Sequence, residues 1–237
     1  MQKRFICPVV FLVCWLLSPF CIENRASEPD KSLADASESA LLYEEMNLEE
    51  LINFKAFKSA YEGYKKLSKD NNSLLTLIDF SLPSTQKRLY VLDLSKKQVL
   101  FVSYVSHGKG SGEDYATSFS NRKGSLQSSL GFYRTSGIYN GRNGYSLLLD
   151  GLEKGINDKA RPRSIVIHGA DYCSEEVIHS SGRLGRSFGC PALPHELAKP
   201  IINTIKGGSL LFIYADKPDY FAKSKIVKPD AFVKNRL

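Results

Sequence analysis

The feature that most constrains this chain is a change of hydrophobic period near residue 73. From Ser39 to Lys69 the apolar residues Leu48, Leu51, Ile52, Phe54, Phe57, Ala60, Tyr61, Tyr64 and Leu67 recur at three- and four-residue spacing. That spacing predicts an amphipathic helix or helix pair whose aromatic stripe packs on a core. Beyond it the pattern alternates or runs apolar over 73–81, 87–94, 98–108, 129–139, 144–152 and 163–169, with β-branched and aromatic residues between short polar or glycine-containing breaks. These segments read as strands, and Ser95-Lys96-Lys97 suits a hairpin. A helix is expected over 194–206 and a last strand over 208–215. The fold class that follows is mainly β (α+β), with strands burying alternate faces against each other or against the late helix.

The first 26 residues stand apart. Lys3 and Arg4 precede a run from Phe5 to Phe20 that is apolar apart from Ser18 and interrupted by Pro8 and Pro19. A basic start and an apolar stretch of this length describe an export signal, and the prolines disfavour a continuous membrane helix. The expected organisation is a signal peptide (1–26), a flexible lead-in (27–37), a helical extension (38–72), a catalytic domain (73–215) and a basic C-terminal tail wrapped on the surface (216–237). Cys21 sits in a poor lipoprotein box, which makes lipidation the less favoured fate. Export places the protein in the periplasm or cell envelope, with no stable membrane span after cleavage.

At 43% hydrophobic and 24% charged the chain is ordinary for a soluble globular protein. The formal charge of +7 falls to +5 when Lys3, Arg4, Arg25 and Glu23 leave with the signal. A mildly basic surface suits an anionic polymer such as cell-wall material, or serves only solubility. Zinc-finger spacing, an RNP-like aromatic motif and a dense basic run are all missing, so nucleic acid is not an expected partner.

The chemistry concentrates in GRLGRSFGCPALP (182–194) and IVIHGA (165–170). Cys190 lies between Gly189 and Pro191, which bares the backbone on one side and stiffens it on the other. A thiol with an ordinary pKa of about 8.5 is mostly protonated at neutral pH, and an imidazole within reach can take its proton. His168, ending an apolar strand, supplies that imidazole. Removal of the signal leaves only Cys173 and Cys190, so a structural disulfide between them in a non-catalytic wall-binding module is the rival reading. Four scattered histidines fit no metal site, and GKGSG (108–112) lacks the ending of a phosphate loop.

His168-Gly169 followed by Ser187-Phe188-Gly189-Cys190-Pro191 resembles the L,D-transpeptidase family of the YkuD type, in its murein L,D-transpeptidase catalytic-domain branch. LIDFSLPSTQKRLYVLDL (77–94), FSNRKGSLQSSLGFYRT (119–135) and NGYSLLLDGLEKGIND (143–158) extend the likeness to roughly Leu48 to Ala215. The resemblance implies a YkuD-like β-sandwich and a cofactor-free cysteine peptidyl-transferase acting on peptidoglycan stem peptides. In that scheme Cys190 is the nucleophile, His168 the general base and then acid, and the Gly169 carbonyl the group that orients the ring. Backbone N–H groups of Gly189 and Cys190 would form the oxyanion hole, and Ser187 would hold the turn. An L,D-carboxypeptidase could use the same site.

The chain departs from the commoner pattern in carrying Phe188 where many members have histidine, and in a longer gap between His168 and Cys190. That gap puts His179, Arg183 and Arg186 in a loop near the nucleophile, where an arginine is expected to pair with a substrate carboxylate or to remain a solvated charge. His107, after a strand and before a glycine loop, is a further candidate for the cleft or a plain exposed histidine. His195 reads as a polar residue opening the late helix.

Overall fold

The structure is a computed structural model that describes residues 31–68 and 72–228, with side chains from residue 38 onward. The expected signal peptide lies outside the described residues. Two helices come first, α1 (Lys31–Glu45) and α2 (Phe54–Leu67). Helix α1 begins inside the expected lead-in because KSLADASESALLYEE is rich in Ala, Leu and Glu, all good helix formers. Helix α2 starts where Asn53 Oδ1 accepts the Lys55 and Ala56 amides at 2.9 and 3.3 Å. It buries Ala56, Phe57, Ala60 and Tyr61, the face that the three- and four-residue spacing marks. Each large apolar side chain so buried contributes roughly 1.5–3 kcal/mol.

Eight strands follow: β1 (Leu74–Asp79), β2 (Leu89–Asp93), β3 (Gln98–Ser103), β4 (Gly131–Gly141), β5 (Gly144–Gly151), β6 (Val166–Gly169), β7 (Ala192–Leu193) and β8 (Leu210–Tyr214). They form one sheet in the order β3-β2-β1-β8-β4-β5-β6-β7. Just beyond β3, Ser106 bridges Ala192 of β7, with Ser106 N–H donating to the Ala192 carbonyl at 2.8 Å. The sheet is therefore nearly closed on itself. Its interior is apolar and aromatic, with Phe132 stacked on Phe212 at 4.2 Å between ring centroids. Helix α2 covers β1 and β8, and α4 (His195–Ile205) covers β5 and β6. Among the described residues no helix is long and apolar enough to cross a membrane.

Two further helices were not expected. The short α3 (Glu175–Ser181) is capped by Ser174 at its start and by Gly182, with φ of 72°, at its end. Helix α5 (Pro218–Lys223) carries Tyr220 and Phe221 into the core. The Tyr220 hydroxyl donates to the buried Glu153 carboxylate at 2.9 Å. The start of the tail is thus part of the packed body rather than a surface wrap, because two aromatic rings on one turn gain more from burial than from solvent.

Candidate active site

Strands β6 and β7 lie parallel, with His168 opposite Ala192. Cys190 is two residues ahead of Ala192, so the sheet register itself brings the turn that carries the thiol alongside the strand that carries the imidazole. Both side chains line one groove of about 520 Å³. Among the described residues no group of three His, Cys, Asp or Glu side chains is arranged to hold a metal ion.

The ring of His168 is fixed from one side. Its Nδ1 lies 2.8 Å from the Gly169 carbonyl oxygen; a carbonyl only accepts, so Nδ1 carries the proton and Nε2 the lone pair. Burial, and less strongly the charge of His195, depress the His168 pKa against the opposing Gly169 hydrogen bond. The imidazole is therefore neutral at physiological pH. Burial likewise pushes the Cys190 thiol up, opposed by a hydrogen bond from the Val166 backbone and by the charge of Arg163. At rest the groove therefore holds a neutral thiol and a neutral imidazole rather than a thiolate and an imidazolium. Its S–H points at the Ser164 carbonyl, 3.6 Å away. Ser164 adopts φ of 55°, a left-handed conformation rare outside glycine.

Ser187 organises the turn. Its hydroxyl donates to the Cys190 carbonyl at 2.6 Å and accepts the Gly189 N–H at 3.0 Å, the two-residue turn that serine side chains favour. The Gly189 amide, expected in an oxyanion hole, is thus already engaged. The Cys190 N–H has no acceptor among the described residues. Gly189 itself is obligatory: its φ is 128°, and a Cβ there would stand 2.9 Å from the Gln127 carbonyl.

The remaining expected residues divide. Arg186 lines the groove but donates to the Gly112 carbonyl at 2.9 Å and to Glu113 at 2.6 Å. Arg183 joins the same carboxylate at 3.1 Å. Both arginines therefore hold the 108–114 loop instead of standing open. His107 is buried and away from the groove: Arg88 donates to its Nδ1 at 2.8 Å, and its Nε2 faces the Gly112 carbonyl at 3.3 Å. His179 sits on α3. Cys173 and Cys190 are both free thiols, buried in different apolar clusters. Phe188 is 69% exposed at the rim, with Lys109 4.6 Å above its ring.

Several groove residues carry no obvious signal in the sequence. His195 lies beside Gly169 and pairs with Asp171 at 3.0 Å. Arg142 and Asn143 reach the groove from the β4–β5 turn, where Asn-Gly marks a hairpin without saying what it overhangs. Outside the groove lining, Arg163, close enough to favour the thiolate, is anchored on the Ser120 and Gln127 carbonyls at 2.7 and 2.5 Å.

The L,D-transpeptidase catalytic domain family matches residues 48–214. No curated protein matches the chain. Among solved structures it is similar to an L,D-transpeptidase from Mycobacterium smegmatis, at 13% identity over 60% of this chain and 59% of that one, TM-score 0.37. It is also similar to the helical cell shape determining protein Pgp2 from Campylobacter jejuni, at 18% identity over 71% and 56%, TM-score 0.37. A third is L,D-transpeptidase (Yku) from Stackebrandtia nassauensis, at 12% identity over 78% and 79%, TM-score 0.37. The chain spans less than two thirds of the first two. With the family match covering well over half of its length, this chain belongs to the L,D-transpeptidase catalytic-domain family.

Proposed function

We propose that the protein is an exported L,D-transpeptidase of the bacterial envelope that acts on the peptide stems of peptidoglycan. The observation that carries this reading is a thiol in a rigid Gly-Cys-Pro turn sharing a groove with a neutral imidazole of fixed tautomer. The Cys190 S–H turns from the Ser164 carbonyl to His168 Nε2 and gives up its proton as sulfur attacks the carbonyl of the stem's third, L-centred residue. The C–N bond to the terminal D-alanine breaks, and Nε2 hands that proton to the departing amine. An amine from a second stem then attacks the thioester and releases the sulfur, its proton returning through His168. Water in place of the amine would make the same site an L,D-carboxypeptidase. The Gly169 carbonyl steadies the imidazolium formed in between, as a carboxylate does in serine triads. The Cys190 N–H supplies an oxyanion donor, a contact worth about 3 kcal/mol of transition-state stabilisation in comparable sites.

The test is intact mass after exposure of the reduced, folded protein to a carbapenem, with Cys190→Ala as control. One adduct that the variant lacks is the expected result; no mass gain in a folded sample overturns the reading. Products from defined muropeptides then separate the two outcomes, dimers meaning transfer and shortened monomers meaning hydrolysis.

A further inference from the structure

Besides His168, the groove holds three cationic or potentially cationic side chains, and two are engaged. Arg186 is paired with Glu113 and Gly112, and His195 with Asp171. Arg142 is exposed and has no hydrogen bond or ion pair among the described residues. Its position follows from register. Ser146 of β5 lies opposite His168 of β6, so the turn at 142–143, between Gly141 and Gly144, reaches past His168 along the sheet. A tether holds it there: the Tyr145 hydroxyl donates to Asn203 Oδ1 of α4 at 2.6 Å, and Lys199 of the same helix stands 6.0 Å from the Tyr145 ring.

The order of strands sets the direction of the substrate. Cys190 lies on the β7 side of His168, and the β4–β5 turn on the β5 side. The sulfur takes the acyl carbon, while His168 must protonate the amine that leaves. The leaving residue is therefore displaced from the sulfur toward the imidazole, and beyond the imidazole stands Arg142. A D-amino acid leaving from a peptide terminus carries a free carboxylate, the anion that a guanidinium fork fits.

We propose that Arg142 is the substrate-binding residue that recognises the terminal carboxylate of the leaving D-amino acid. The assignment rests on the transferase reading above and makes the enzyme selective for stems with a free C-terminus. Arg186 and Arg183, the cations nearer the nucleophile in sequence, serve the loop at Glu113 instead.

The experiment compares kcat/KM for a stem tetrapeptide ending in D-alanine with that for its C-terminal amide, in the wild-type protein, Arg142→Ala and Arg142→Lys. The wild type should prefer the free acid by roughly tenfold or more, the scale of one charge-assisted hydrogen bond. Arg142→Ala should lose that preference by slowing the acid alone, and Arg142→Lys should restore part of it. Iodoacetamide alkylation of Cys190 at an unchanged rate verifies that the site is intact in each variant. Equal wild-type rates on acid and amide, or a variant that slows both alike, overturn the role of Arg142 while leaving the transferase standing. Absence of product from both peptides, with no carbapenem adduct, overturns the transferase reading and this assignment with it.

Discussion

Two histidine-glycine pairs, His107-Gly108 and His168-Gly169, lie in this protein, and they differ in how many ring nitrogens the fold occupies. Exposure does not separate them, since both rings are buried. Engagement does. Arg88 and Gly112 occupy both nitrogens of His107, whereas Gly169 occupies one nitrogen of His168 and the groove faces the ring. Each has a cysteine in its neighbourhood. Arg88, which bonds His107, also acts on Cys173, whose thiol burial raises to about 11. Around Cys190 the Val166 backbone and Arg163 work against burial. A sealed histidine can only be a strut, and one with a nitrogen unmet is free to serve as the base proposed above.

The largest effect expected from breaking this contrast is at sulfur. Cys190→Ala should abolish the carbapenem adduct and lower turnover by about 10³-fold or more, while Cys173→Ala, assayed alongside, should stay within a few-fold of wild type. Next come the rings. His168→Gln should slow acylation by roughly 10²–10⁴-fold, read as adduct formation against time. His107→Leu should leave the rate per folded molecule near wild type and shift the urea midpoint, costing about 1–3 kcal/mol by orphaning an Arg88 donor.

Acid sharpens the same comparison. Burial, then the Arg88 charge, holds the His107 pKa at about 4, below its usual 6.5. The native state binds fewer protons there than the unfolded chain, so this stabilisation is whole above pH 6.5 and is lost as pH falls toward 4. The loss is up to about 3 kcal/mol, measurable as a falling denaturation midpoint. His168, also depressed, should keep acylation running below pH 6.5 before its acid limb begins. A limb centred above 6.5 would contradict the neutral resting pair. The smallest effect belongs to Glu113→Gln, which weakens partly exposed pairs to Arg183 and Arg186. It should cost less than about 1 kcal/mol by thermal melt.

The strands were legible because alternating apolar faces must be buried whatever the topology, and Cys190 and His168, which line one groove, stood out in the sequence because their neighbours are glycine and proline. What escaped depends on partners distant in sequence. Nothing around His107 announces that Arg88 will seal it. Strand β7 is only Ala192–Leu193, too short for any period to show, yet it sets the register of Cys190. Helix α3 hid in a charged stretch whose signal was its caps, Ser174 and Gly182. Arg142 became visible only when β5 paired with β6. The engagement of the Gly189 amide was also hidden, because it depends on the rotamer of a serine two residues upstream that accepts from it.

The bridge between Ser106 and Ala192 carries a last consequence. It is a seam where the two ends of the sheet meet, and the Ser187–Cys190 turn is stitched into it by Lys109 N–H on the Ser187 carbonyl and Ser187 N–H on the His107 carbonyl. Amides in such a seam cannot exchange with solvent by local fraying alone. Deuterium uptake at Ser106, Ser187 and Ala192 should therefore track global unfolding, and Cys190 inherits the rigidity of the whole barrel-like wall rather than that of a surface loop.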